Sequence, residues 1–322
     1  MNEEIHKLNE KRRKHVESCK ENHDYSYQVI SNLYSEKSHF IYEILQNAED
    51  VEATRIIFDF KENFLKITHN GNLFKSVNVD AITAVGYSPK LNELNKIGKF
   101  GIGFKSVFGF TVSPEIHSGN YHFKITKFIV PEEIDPIDCG DDTIIIIPFN
   151  HSKLKPDEAY KIIKEKLEDL KTESILFLRN IQNIQWESNE SKGYYLKADI
   201  NICRNIKWIC VDSQKDDGHE YLVFDKDIQI EDKTLKIEVA YYVDLKENNQ
   251  KFIAHLHNTK LSVYFPTKEK IELNFLLQAP YKTTPNRETI DFKDAQNEII
   301  TKEISELVVM SLSKLKKLGF IN

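Results

Sequence analysis

The sequence has few cysteines, and none of them is spaced for a metal or redox site. Of 322 residues only Cys19, Cys139, Cys203 and Cys210 are cysteines, and no two form a C-x-x-C pair. Isolated thiols of this kind are typical of proteins in a reducing compartment. We therefore interpret the four cysteines as incidental and exclude thiolate–metal and dithiol chemistry.

Long apolar runs are also missing. No stretch approaches the roughly 18 apolar residues that a membrane helix needs. The first residues, MNEEIHKLNEKRRKH, are charged throughout and do not resemble a secretory signal. These two features predict a cytoplasmic protein without a membrane partner.

Positive charge is not in excess. The chain has 44 Lys and Arg against 50 Asp and Glu, a formal net charge of -6, so the overall charge does not indicate a nucleic-acid partner. With 40% hydrophobic and 29% charged residues, the composition is that of a protein with a real core. The length predicts two domains, and a change to alternating strands and loops places the boundary near residue 185.

Hydrophobic periodicity predicts the main elements. Helices are expected at 3–30, 36–50, 156–172 and 292–318, with a short helix and a polar loop at 77–96. The segments TRIIFDF and FLKITH form an expected hairpin, followed by the turn signal HNG. Further strands are expected at YHFKITKFIV, TIIIIPF and ILFLRNIQNIQW.

The segment FIYEILQNAED has two different helical stripes. At about 100° per residue, one stripe is apolar and consists of Phe40, Ile41, Ile44, Leu45 and Ala48. Glu43, Asn47 and Asp50 stand at i, i+4 and i+7 on a second stripe, turned by roughly 120°. This second stripe is either solvent-facing or part of a site.

The segment GKFGIGFKSVF has glycines at 98, 101 and 103, followed by a helix-forming run. Glycine allows a ligand to approach the backbone closely, and a helix N-terminus after it would form an anion site. The spacing is not that of a P-loop, and the segment does not follow a strand as a Rossmann fingerprint does.

Together these motifs resemble those of the GHKL ATPases, the class of gyrase, heat-shock chaperones, histidine kinases and MutL. The resemblance covers residues 36–150, and ILQNAED, HNG, GYSPK and IGKFGIGFKSVF make it most similar to the heat-shock-protein-90-like and sacsin-like branch. It implies an α+β fold: a GHKL (Bergerat) α/β sandwich at 1–185, followed by a smaller α/β transducer-like (middle) domain at 186–322. The first domain would include a helical extension at 1–35 and a lid at about 72–97.

The resemblance also implies roles for individual residues. Asn47 matches the asparagine that holds Mg²⁺, Glu43 the residue that activates the attacking water, and Asp50 a position near the base or ribose. Thr143 matches a threonine that binds adenine through water. The segment expected around the ATP phosphates comprises Gly98, Lys99, Phe100, Gly101, Ile102, Gly103 and Phe104. Lys105 is either a further phosphate cation or a solvated residue.

The sequence departs from the family pattern at the turn that binds the adenine base. The family usually has Asp in a D-x-G turn, where the carboxylate accepts a hydrogen bond from the adenine amine, but this chain has His69, Asn70 and Gly71. Neutral His69 or the Asn70 amide oxygen could accept the same bond. The choice between ATP and GTP is therefore open.

A possible second catalytic residue lies near the end of the chain. Asn286, Arg287 and Glu288 are similar to a loop of the heat-shock chaperones whose arginine reaches the γ-phosphate. Arg287 would then be an arginine finger. The alternatives are Lys282 as the cation, or a salt-bridged arginine at a helix start.

The expected function is a slow Mg²⁺-dependent ATPase that binds ATP and ADP. It would form a homodimer in the ATP state and act on a protein client or effector. One alternative is a nucleotide-gated binding module with little turnover, for example in a stress or defence system. Another is a MutL-like, DNA-associated ATPase.

Overall fold

The computed structural model describes most of the chain. The described ranges are 2–22, 40–84, 103–214, 218–246, 250–283 and 289–321. The chain divides into two compact units. The first consists of Met1–Leu170 and Asn183–Gly193, and the second of Lys171–Gln182 and Tyr194–Asn322. The boundary predicted near residue 185 falls in the shorter segment of the first unit.

Helices and strands alternate irregularly along the chain. The helices are α1 (Glu3–Glu21), α2 (Phe40–Asp50), α3 (Ser76–Thr83), a 3-10 helix (Gly103–Gly109), α4 (Pro156–Glu168), α5 (Glu173–Leu176) and α6 (Ala295–Lys317). The strands of the first unit are β1 (Arg55–Phe60), β2 (Phe64–His69), β3 (Glu115–Ser118), β4 (Tyr121–Thr126), β5 (Val130–Glu133), β6 (Thr143–Pro148) and β7 (Asn183–Glu187). Those that follow are β8 (Lys192–Cys203), β9 (Ile206–Ser213), β10 (His219–Ile230), β11 (Lys233–Leu245), β12 (Lys251–Ile253), β13 (Lys260–Val263), β14 (Phe265–Lys270) and β15 (Leu276–Gln278).

The first unit is built on a mixed sheet with the strand order β7-β1-β2-β6-β3-β4-β5. Only β1 and β7 are parallel; the other neighbours are antiparallel. Exposure alternates along β1 and β2, so one face of the sheet is the core face. Helix α4 covers this face, since the rings of Phe60 and Tyr160 are 5.2 Å apart.

In the second unit the strand order is β8-β9-β10-β11-β15-β13-β14, with β12 paired to β11. Helix α6 packs on β10 and β11. Its N-cap is Asp294, whose side chain accepts hydrogen bonds from the backbone N–H groups of Gln296 and Asn297. The hydroxyl of Ser311 on α6 donates to the Val308 carbonyl, so it is the Tyr241 hydroxyl that donates to Ser311, over 2.6 Å.

The structure confirms an α+β fold and the hairpin of β1 and β2, and it confirms helices within each predicted helical segment. Two strand predictions are wrong in part. YHFKITKFIV is two strands rather than one, because Lys127 and Phe128 turn the chain with φ of +47° and +74°. In ILFLRNIQNIQW the first residues belong to the helical turn α5, and the strand starts only at Asn183.

One further difference involves a helix. The run after the glycines was expected to be an ordinary helix, but Gly103–Gly109 is a 3-10 helix, in which five consecutive side chains are buried. Among the helices of the described ranges, none combines the length and apolar character that crossing a membrane requires.

We expect Tyr241→Phe to lower the free energy of unfolding by about 1 kcal/mol, because it removes a buried hydrogen bond that joins α6 to the sheet. Denaturant unfolding followed by circular dichroism measures the loss. The double variant with Ser311→Ala should lose less than the sum of the two single losses, since both changes remove the same bond. Additive losses would show that this bond does not couple the helix to the sheet.

Candidate functional site

Helix α2 is anchored by its apolar stripe. All five predicted apolar residues are at most 2% exposed, so the core face predicted from the sequence is confirmed. On the second stripe Glu43 and Asn47 are partly buried and Asp50 is buried, so this stripe is not a freely solvated surface. The Asn47 side chain makes no hydrogen bond to another residue of the described ranges.

The structure brings Glu43 together with the last glycine of the glycine-rich segment. A Cβ atom at Gly103 would overlap the Glu43 carboxylate, so the Gly103 backbone lies directly against that carboxylate. The rings of Phe40 in α2 and Phe110, which directly follows the 3-10 helix, are 5.0 Å apart and also connect this region to α2. The backbone at the start of the 3-10 helix therefore lies beside a carboxylate from α2.

Polar side chains form a row across the otherwise apolar core face of the sheet. In register, His69 of β2 stands opposite Thr143 of β6, which stands opposite Ser118 of β3. All three are at most 4% exposed. The hydroxyl oxygens of Ser118 and Thr143 are 2.5 Å apart, and Ser118 also accepts a hydrogen bond from the backbone N–H of Phe74.

His69 is held in one orientation by its own turn. The backbone N–H of Gly71 donates to His69 Nδ1 over 3.3 Å. Burial lowers the pKa of His69 to about 4, although the nearby negative charge of Asp142 opposes the shift. The imidazole is therefore neutral at physiological pH.

Asn70 serves the backbone of the β1–β2 hairpin. Its amide oxygen accepts hydrogen bonds from the N–H groups of Thr54 and Arg55 at 3.0 and 2.9 Å. Its amide nitrogen donates to the Thr54 hydroxyl at 2.8 Å. Of the two base-binding residues proposed from the sequence, His69 is thus the one whose side chain is not occupied in this way.

Gly71 lies against the residues that follow α2. A Cβ atom here would stand 2.6 Å from Val51 Cγ2 and 2.8 Å from the Val51 carbonyl oxygen. That same carbonyl accepts a hydrogen bond from the N–H of Asn72 over 2.7 Å. The turn that carries His69 is thereby joined directly to the end of the helix that carries Glu43.

Lys105 is buried, so the interpretation of it as a solvated residue is wrong. Its side chain is 2% exposed, and Nζ donates to the carbonyls of Ile82 and Phe128 at 2.8 and 2.6 Å. Burial, helped by the charge of Arg12, lowers the pKa of Lys105 to about 7. It joins the 3-10 helix to the end of α3 and to the β4–β5 turn.

Several predicted site residues fall outside the described ranges. These are Gly98, Lys99, Phe100, Gly101, Ile102 and Arg287. Phe104, which was expected near the phosphates, is described and buried. Lys282, the alternative cation to Arg287, pairs with Asp294, and their charged atoms are 3.2 Å apart. In the described part of the chain no three His, Cys, Asp or Glu side chains group as metal ligands.

Sequence reasoning missed Ser118. It follows a buried β-strand residue and stands in no motif, and its only signal is that a polar residue ends the strand EIHS. Its place beside Thr143 follows from strand register, which the sequence did not reveal.

Comparison with known proteins defines the class to which this region is similar. A family model described as the Sacsin domain matches residues 25–127, which include α2, the β1–β2 hairpin and the glycine-rich segment. The crystal structure of the N-terminal domain of a DNA repair protein shares the fold, with a TM-score of 0.50 and 12% identity. It covers 90% of this chain and 100% of its own.

Two particular relatives are much longer. Protein NO VEIN from Arabidopsis thaliana is 26% identical over 317 residues, covering 88% of this chain. Human sacsin is 34% identical over 111 residues, covering 29% of this chain. The chain spans 11% of the length of NO VEIN and 2% of the length of sacsin.

We expect Gly71→Ala to destabilise the protein by about 1–3 kcal/mol, because the new methyl group meets a backbone carbonyl that cannot move aside easily. Thermal unfolding measures this. Gly218→Ala is the matched control, since its Cβ would stand 4.0 Å from its nearest neighbour, the Val211 carbonyl oxygen. Equal effects of the two changes would contradict the close packing at Gly71.

Lys105→Met should remove a pH dependence of stability. Because the folded-state pKa of Lys105 is about 7 and its ordinary value 10.5, the unfolded state binds more protons between these values. The contribution of Lys105 to the free energy of unfolding is therefore greatest above pH 10.5 and falls as the pH drops towards 7.

Denaturant unfolding between pH 7 and pH 10 tests this. The variant leaves two buried carbonyls without a donor, at a cost of about 1–3 kcal/mol, and its deficit against wild type should shrink as the pH falls. Exposed Lys153→Met is the control. A deficit that is constant with pH would show that Lys105 keeps its ordinary titration.

Proposed function

We propose that this chain is a Mg²⁺-dependent ATP-binding protein of the GHKL class that hydrolyses ATP slowly. The observation that carries the proposal is the contact between the Glu43 carboxylate and the backbone of Gly103. Glu43 and Gly103 are 60 positions apart in sequence, and a GHKL site would require the two motifs that contain them to be in contact. The match of residues 25–127 to the Sacsin domain supports the same grouping of motifs.

The residues present fit a magnesium nucleotide. Asn47 lies one helical turn after Glu43, and its side chain is not engaged by other described residues. Mg²⁺ takes oxygen ligands, keeps several waters and commonly needs few protein ligands, so one amide oxygen with phosphate oxygens suffices. When bound, the ion would neutralise phosphate charge. The backbone at Gly103 offers no side chain that would keep a phosphate away.

Glu43 would orient the attacking water and accept its proton. A general base needs only hydrogen-bond reach to the proton that it removes. The apolar stripe anchors α2, and the Glu43 carboxylate lies beside the Gly103 backbone that is proposed to face the phosphates. The base of the nucleotide would lie at the row of His69 and Thr143, with Asp50 on the helix above.

The process that ATP hydrolysis would drive depends on more than the residues of the site. We propose nucleotide-dependent dimerisation acting on a protein client or effector, and the whole-protein activity belongs to chains much longer than this one. A nucleotide-gated module with negligible turnover has the same binding site and differs only in hydrolysis. The MutL-like alternative draws only on a shared fold at 12% identity.

We expect Glu43→Gln to lower steady-state ATP turnover with Mg²⁺ by at least about 100-fold, the typical contribution of a general base. ATP binding, measured by calorimetry, should stay within about threefold, because the amide preserves the shape of the side chain. Asn47→Ala should instead weaken Mg²⁺-dependent ATP binding. Turnover per molecule that rises with protein concentration would support a dimer.

Glu62→Gln is the control, since Glu62 is an exposed acid in the β1–β2 loop. Unchanged turnover in Glu43→Gln would refute the role of Glu43. ATP binding without turnover in the wild type would favour the gated module, and turnover stimulated by DNA would favour the MutL-like alternative. Absence of ATP binding would overturn the proposal.

A further inference from the structure

The two ring nitrogens of His69 differ in their hydrogen bonding. Nδ1 is engaged by the turn, and Nε2 is available to bind a ligand. Nδ1 accepts the Gly71 N–H, and a nitrogen that accepts a hydrogen bond carries no proton. The ring proton must then be on Nε2, because a neutral imidazole has one donor and one acceptor. The imidazolium form, with donors on both nitrogens, is incompatible with this turn.

The low pKa of His69, about 4, agrees with a ring that stays neutral. The residue is 4% exposed, and its Nε2 makes no hydrogen bond to another described residue. This N–H is therefore available to a ligand or to water.

The neighbouring polar groups do not change the role of His69 Nε2 as a hydrogen-bond donor. The hydroxyls of Thr143 and Ser118 can each donate or accept, so they adapt to whatever they meet. The Asn70 amide oxygen, which could have accepted from a base, already accepts two backbone N–H groups. His69 therefore offers the one donor of defined direction in this row.

We infer that His69 donates its Nε2–H to the base of the bound nucleotide, so that the site does not select the exocyclic amine of adenine. This inference rests on the proposed function. Adenine offers N1 as an acceptor and a 6-oxopurine offers O6, so either base can satisfy the donor. The N1 acceptor of adenine and the O6 acceptor of a 6-oxopurine are adjacent positions on the edge of the base, so a shift of the base by one position brings either acceptor to Nε2–H. The substrate class is thereby purine nucleoside triphosphates in general.

The test compares the dissociation constants of ATP, ITP and GTP with Mg²⁺ on the whole chain by calorimetry. ITP is the critical probe, because it differs from ATP in having an oxo group at position 6 without the additional amine of GTP. For the wild type we expect ATP and ITP to bind within about threefold of each other. Wild-type binding of ATP at least tenfold tighter than ITP would overturn the inference while leaving the proposed function intact.

His69→Asp should convert the donor into an acceptor and create selectivity. A carboxylate accepts but does not donate, so ATP should bind at least about tenfold tighter than ITP, the scale of one buried unpaired group. His257→Asp, at an exposed position in the second unit, should leave the ratio unchanged. An unchanged ratio in a folded His69→Asp variant would overturn the inference.

The wild-type comparison does not depend on whether this variant folds. Binding of none of the three nucleotides to the wild type would overturn the proposed function and this inference together.

Discussion

The contact between Gly103 and Glu43 is the constraint on which the arrangement of the site depends. Helix α2, which carries Glu43, is anchored by its buried apolar stripe. A backbone without a Cβ atom lies directly against that carboxylate. A larger residue at Gly103 would force the Glu43 carboxylate to leave this position. The chemistry proposed for the site follows from this approach of backbone to acid.

The second feature of the site is a set of polar groups in a face that is otherwise apolar. His69, Thr143 and Ser118 can be buried because hydrogen bonds with the backbone and with one another satisfy most of their polar atoms. The same burial keeps His69 neutral. The remaining donor, His69 Nε2–H, makes no hydrogen bond to another described residue, and we propose that it binds the base.

Local patterns predicted a large part of the fold. The stripe of α2 and the β1–β2 hairpin were predictable because periodicity within one segment decides which face is buried. The strand break at Lys127 and Phe128 was not, because positive φ at these residues is imposed by the turn and not announced by glycine. The role of Lys105 was equally hidden, since both carbonyls it binds are 23 residues away along the chain.

The sequence by itself determined which residue types stand on which face of α2, and where a glycine was available for close approach. It also offered His69 and Asn70 as the two residues that would bind a base. Only the tertiary structure showed that the Asn70 amide is engaged with the backbone of Thr54 and Arg55, which is why our proposal assigns the base to His69. It likewise decided that Lys105 is buried and that Ser118 joins Thr143. Periodicity is a property of neighbouring residues, whereas hydrogen-bond partners depend on the register of strands that are distant in sequence.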